Sequence, residues 1–273
     1  MSSGTGPIPI EPTLPKPALP GTVVVREKHE LYDCVIADML MQAIACIREF
    51  GSFHLALSGG STPEPVYKQL MFDPACRHFP WKKTHIWIVD ERCVPFDDEK
   101  SNFGMIRELI VNHSTIPADQ VHPIHATESD AARKYEKELC SVLEWRERGH
   151  DRLDYVLLGM GDDGHTASLF PNSPALHSGD ALVVSNNGPT VVPPPRITMT
   201  YRLLNASRFV SVLVVGERKR EMIEQIQQHT RAHQKPIEIL PVLGIQPVAG
   251  EFRWYLDPAA CPAEDASGSS ENT

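Results

Sequence analysis

Short apolar runs alternate along this chain with segments whose apolar positions recur every three or four residues. Residues 22–26 (TVVVR), 53–57 (FHLAL), 84–89 (THIWIV), 153–158 (LDYVLL) and 208–215 (RFVSVLVV) read as strands, mostly too continuous in their apolar character to leave one face in water. Shorter strands are expected at 181–185, 196–200 and 252–256. Between these runs, Leu31, Val35, Met39, Ala43 and Ile47 keep the i+4 spacing of one helix face, with Gly51 as a C-terminal stop. Further helices are expected at 63–71, 102–112, 128–148 and 217–229. The third of these opens with Thr127 and Asp130 in capping-box positions and closes on Arg146, Arg148 and Gly149.

Alternation of this kind predicts a mostly parallel sheet covered by helices on both faces, a three-layer αβα arrangement in one domain over 22–258. Six prolines fall within residues 1–20. Lacking N–H groups and with fixed φ, they predict an extended arm over 1–21, mobile or draped on the surface. Residues 259–273 are expected to be a flexible tail.

Composition narrows the function. The net charge of −9 is the wrong sign for a general nucleic-acid binder. No apolar run approaches a membrane span, and neither end reads as a secretory or retention signal, so a cytosolic protein is expected. The six cysteines show no Cys-x-x-Cys pair and are expected to be reduced thiols. An acidic chain that takes an anionic ligand must hold it with a few local cations and backbone N–H groups.

In parallel α/β sheets, ligands bind outside the carboxyl ends of the strands. Ser58-Gly59-Gly60-Ser61-Thr62-Pro63, leaving the second strand, combines two glycines, two hydroxyl side chains after them and a proline suited to a first helical turn. It is a candidate phosphate cradle. Asp90-Glu91-Arg92 leaves the third strand, where Asp90 and Arg92 are either site residues or a structural ion pair. Gly159-Met160-Gly161-Asp162-Asp163-Gly164-His165 leaves the fourth and matches G-x-G-x-x-G. A dinucleotide is nevertheless not expected, because two carboxylates would face its pyrophosphate and Pro171 stops any long helix. The loop is better suited to presenting His165 as a general base.

Arg196 and Lys219 are further candidate cations at strand ends. No G-x-S-x-G elbow occurs, which argues against a serine-hydrolase triad. His229 and His233 have the spacing of metal ligands on a helix but no third ligand nearby, and are expected to cap a helix C-terminus. Cys93 is expected to be an inert thiol.

Taken together, Leu57-Ser58-Gly59-Gly60-Ser61-Thr62-Pro63, Asp90-Glu91-Arg92-x-Val94-Pro95 and Gly161-x-Asp163-Gly164-His165-Thr166-Ala167-Ser168-Leu169-Phe170-Pro171 resemble the glucosamine-6-phosphate isomerase/6-phosphogluconolactonase family. The likeness runs from about Val23 to Asp257. No carboxylate follows His165 before Pro171, a departure from the deaminase branch that favours the lactonase branch. The resemblance implies a Rossmann-like fold and hydrolysis of 6-phospho-D-glucono-1,5-lactone to 6-phosphogluconate, with no metal or coenzyme; a monomer is expected. It also implies roles. His165 would activate water, oriented by Asp163 or in competition by Asp162. Arg92 would stabilise the oxyanion or position Asp90. Ser58, Gly59, Gly60, Ser61, Thr62, Arg196 and Lys219 would hold the phosphate.

Overall fold

The computed structural model describes residues 14, 16–143, 152–188, 190–191 and 194–263. Ten strands and six α-helices follow one another, with short 3-10 turns between them. They run β1 Thr22–Val25, α1 Lys28–Phe50, β2 Phe53–Leu57, α2 Glu64–Phe72, β3 Thr84–Ile88, β4 Asp90–Arg92, α3 Asn102–Leu109 and β5 Val121–His122. After these come α4 Ala131–Leu143, β6 Tyr155–Gly159, β7 Val183–Asn186, β8 Arg196–Met199, α5 Tyr201–Ala206, β9 Phe209–Val214, α6 Arg220–Arg231 and β10 Glu251–Leu256.

Seven strands form one sheet in the order β1-β10-β9-β6-β2-β3-β5, every neighbouring pair parallel. All residues of β2 and β9 are buried, as a sheet covered on both faces requires. Helix α1 supplies part of that cover through Leu31, Val35, Met39 and Ala43, and it ends where Gly51 turns left-handed at φ 84°. Only glycine adopts that conformation without strain.

From β2 the chain moves outward to β3 and β5, then returns to lay β6 on the other side of β2 and continues to β9 and β10. The strand order therefore reverses between β2 and β6. The crevice outside their carboxyl ends is where this architecture places a ligand.

Several expectations change. The strands at 181–185 and 196–200 do not extend the main sheet. With Asp90–Arg92 they form a separate antiparallel sheet, β4-β8-β7. The backbone changes sheets at Val89, whose N–H donates to Leu57 while its carbonyl accepts from Met199. The helix expected from 128 begins at Ala131, because Asp130 sits at φ 56°, outside the helical region. The expected helix end at Arg146, Arg148 and Gly149 lies outside the described residues.

The domain also reaches beyond the expected 22–258. Ala260 and Cys261 are buried, and the Arg220 guanidinium donates to the carbonyls of Ala259 and Cys261. At the other end, Leu19 is buried and Trp254 Nε1 donates to the Pro20 carbonyl, so this part of the arm is draped on the domain. The rest of the expected arm, residues 1–13 and 15, and residues 264–273 of the expected tail lie outside the described residues.

Candidate active site

A cleft of about 320 Å3 opens at the reversal point. Its walls include Ser58, Gly59, Gly60, Ser61, Thr62, Asp90, Arg92, His165 and Arg196, residues drawn from four separate loops and strand ends.

The loop after β6 builds one wall from within itself. Gly161 N–H donates to the His165 carbonyl at 2.8 Å, and Thr166 Oγ1 donates to the Gly159 carbonyl at 2.8 Å. A Cβ on Gly161 would lie 2.1 Å from His165 Nδ1, so only glycine lets the imidazole fold back this far. Asp163 Oδ1 is 2.5 Å from His165 Nδ1 and also accepts the His165 backbone N–H at 3.1 Å. Burial raises the Asp163 carboxyl, but the ring and backbone bonds from His165 outweigh it and hold the carboxyl below its ordinary value. In the neutral imidazole, a carboxylate at Nδ1 assigns the ring proton there and leaves Nε2 with its lone pair. Phe170 packs 4.5 Å from the imidazole, centroid to centroid.

The neighbouring carboxylate is committed elsewhere. Asp162 accepts from Lys219 Nζ and, at 2.7 Å, from Arg218, and the Lys219 bond is the main cause of its lowered pKa. Asp163, not Asp162, touches His165. The same pairing bears on Lys219, a sequence candidate for the clamp: it is absent from the cleft wall because its ammonium lies against Asp162. Among the described residues, no helix follows this loop before residue 174.

The second wall is assembled from distant segments. In the antiparallel register β4–β8, Arg92 faces Arg196 directly. Like charges so placed repel each other unless an anion lies between them. Burial, and then the Arg92 guanidinium, lowers the pKa of Arg196. Arg92 donates to the Lys100 carbonyl and to Asn102 Oδ1, Arg196 to the Pro194 carbonyl, and among the described residues neither pairs with a carboxylate. Asp90 is bound not by Arg92 but by Ser168 Oγ, at 2.5 Å.

Sequence reading singled out neither Glu91 nor Asn102. The fully buried Glu91 carboxylate accepts the backbone N–H groups of Arg92, Asn102 and Phe103 and the Ser101 hydroxyl, tying β4 to the first turn of α3. Burial still raises its pKa above the ordinary carboxylate value.

The third element is the 58–63 turn. Ser58 Oγ is buried and, among the described residues, has no hydrogen-bond partner, which leaves it able to bond a ligand. Gly60 takes φ 95°, and Gly59 leaves its side-chain space to Asn102.

Cys93, His229 and His233 lie off the cleft wall, and His233 stands past the end of α6 at φ 54°. Burial raises the Cys93 thiol, which keeps it inert. His229 stands in the last turn of α6 and bonds Gln234.

Paired cations, an unpartnered hydroxyl and a carboxylate-oriented histidine meet at the reversal point of a parallel sheet, the place where α/β enzymes build their sites. The chain belongs to the family described as glucosamine-6-phosphate isomerases/6-phosphogluconolactonase, whose model matches residues 26–254. Over 245 residues it is 37% identical to a 6-phosphogluconolactonase of Synechocystis, covering 88% of this chain and 97% of that protein. It is 39% identical over 239 residues to the human GDH/6PGL endoplasmic bifunctional protein, covering 84% of this chain but 28% of that longer one. The crystal structure of a 6-phosphogluconolactonase from Thermotoga maritima superimposes with a TM-score of 0.71 at 30% identity, covering 86% of this chain and 99% of that one.

Proposed function

We propose that this chain hydrolyses 6-phospho-D-glucono-1,5-lactone to 6-phosphogluconate in the oxidative pentose phosphate pathway. The observation that carries this reading is one cleft holding both a histidine with a free ring nitrogen and two cations without carboxylate partners.

Arg196, the hydroxyls of Ser58, Ser61 and Thr62 and the glycine backbone N–H groups hold the phosphate, which fixes the lactone carbonyl against His165. Lys219 joins them only on leaving Asp162. His165 Nε2 takes a proton from water as its oxygen bonds to the carbonyl carbon, and Asp163 stabilises the imidazolium that results. Arg92 meets the negative charge that develops on the carbonyl oxygen. Collapse of the tetrahedral intermediate breaks the bond to the ring oxygen, which receives the proton from His165. Asp90, buried and held by Ser168, shapes the sugar-facing wall. Water, one base and a set of donors suffice for this reaction, so neither metal nor coenzyme is required.

A cytosolic enzyme fits the six free thiols, and a monomer is proposed with it. No helix among the described residues is long and apolar enough to cross a membrane.

The test supplies freshly made 6-phosphogluconolactone and follows 6-phosphogluconate, with glucosamine 6-phosphate in a parallel arm. The expected result is rapid lactone hydrolysis that survives chelation and dialysis, with no ammonia released. Ammonia release without lactone hydrolysis would transfer the assignment to the deaminase branch.

A further inference from the structure

Asn102 opens helix α3, yet its side chain does not cap the helix; that is done by Ser101 Oγ, which accepts from Gly104 N–H at 2.9 Å. The Asn102 amide is turned to the cleft instead. Its Oδ1 accepts from the Arg92 guanidinium at 2.6 Å, and its Nδ2 donates to the Asp90 carbonyl at 2.6 Å. A Cβ on Gly59 would meet Asn102 Oδ1 at 1.8 Å, so the turn after β2 is shaped around this side chain. One residue thus touches three components of the site: the phosphate turn, the backbone of β4 and the arginine.

We infer that Asn102 is the positioning residue of the anion site, acting through Arg92. Arg92 needs such a support. A guanidinium opposite Arg196 is pushed away by its neighbour, and a long side chain loses considerable rotamer freedom when held in one place. Asn102 Oδ1 and the Lys100 carbonyl both accept from the same Nη1, fixing the plane of the guanidinium while leaving its remaining N–H groups for an anion. A carboxylate in the place of Asn102 would hold the arginine as well but cancel its charge. A neutral amide holds it and leaves the charge available.

The inference rests on the lactonase reading, which makes Arg92 a ligand contact, and its test separates the two. Dissociation constants for 6-phosphogluconate, together with KM and kcat, are measured for wild type, Arg92→Ala, Asn102→Ala and the double variant. The backbone N–H of residue 102, not its side chain, binds Glu91, so the helix start survives the substitution. Should Asn102→Ala not fold, Asn102→Ser replaces it in the same cycle.

Asn102→Ala is expected to weaken 6-phosphogluconate binding roughly tenfold and, because Arg92 meets charge that develops on the carbonyl oxygen, to lower kcat more than it raises KM. In the Arg92→Ala background the same change should cost less than about twofold, because the group it positions is gone. Equal cost in both backgrounds would overturn the inference and leave Asn102 a general structural role, with the lactonase reading intact. Undiminished binding and turnover in Arg92→Ala would remove Arg92 from the site and the inference with it. Absence of 6-phosphogluconate binding by the wild type would point to failure of the functional reading itself.

Discussion

The two walls of the cleft are made in opposite ways. The His165 wall is a single tight loop in which Gly161, Asp163 and His165 orient one another across five residues. The arginine wall joins β4, α3 and β8, and Arg92 meets Arg196 only because an antiparallel register brings them face to face. A self-contained loop keeps its geometry while its surroundings vary. An assembled wall depends on each segment that contributes to it, and on buried groups such as Glu91 that never touch a ligand. Substitutions in the first should therefore alter chemistry and spare folding, while substitutions in the second should alter binding and stability together.

The largest expected effect is on the loop. His165→Ala should lower kcat by ~10²–10⁴-fold with 6-phosphogluconate binding and melting temperature near wild type. Steady-state kinetics and calorimetry read all three, and a fall in melting temperature comparable to that of a core variant would end the contrast between the walls.

On the other wall, Arg196→Ala should weaken 6-phosphogluconate binding by about 1.5–3 kcal/mol, the worth of a charge-assisted hydrogen bond. Turnover of unphosphorylated gluconolactone, poor to begin with, should change little. Glu91→Gln should destabilise the protein by about 1–3 kcal/mol, since an amide cannot accept all four of the bonds Glu91 now receives. Denaturant midpoints measure this, and unchanged stability would show that α3 does not depend on the buried carboxylate. Lys219→Ala breaks a partly exposed pair with Asp162 and should cost no more than about 1 kcal/mol of stability. Its effect on 6-phosphogluconate binding should be smaller than that of Arg196→Ala, because Lys219 lies off the cleft wall.

Acid should separate the walls most finely. Asp163 has a lowered pKa, so its contribution is complete above the unfolded carboxyl value of about 3.9 and is lost as pH falls through the lowered one. The Glu91 pKa is raised, so stability from that group declines as pH climbs from the ordinary value through the raised one. Melting curves of Asp163→Ala and Glu91→Gln against wild type should therefore diverge with opposite pH slopes in the acid range.

The same contrast explains what the amino-acid sequence made legible. Strands β2, β3 and β9 announce themselves as continuous apolar runs, and the loops after β2 and β6 carry glycines and hydroxyls in contiguous order. Strand β4 is three charged residues long and has no alternation to detect. Its partnership with β8 depends on a register that no local pattern encodes. Asn102 and Glu91 were missed for the same reason: their importance lies in contacts made after the chain has folded. The Asp130 side chain suits a cap, while its backbone takes the left-handed region, which asparagine and aspartate tolerate better than most residues.

The pairing of β1 with β10 has a consequence for biosynthesis. Of the strands described, the first to be synthesised finds its neighbour in the last, some 230 residues later by the register Thr22 with Arg253. Until then β1 has no partner in the sheet, and the open edge of β9 offers its N–H and C=O groups to any passing strand. A chain released early, before Glu251, would keep an intact His165 loop and lack the strand that closes this side of the sheet. For this fold, the sheet is sealed only once its last strand has been made.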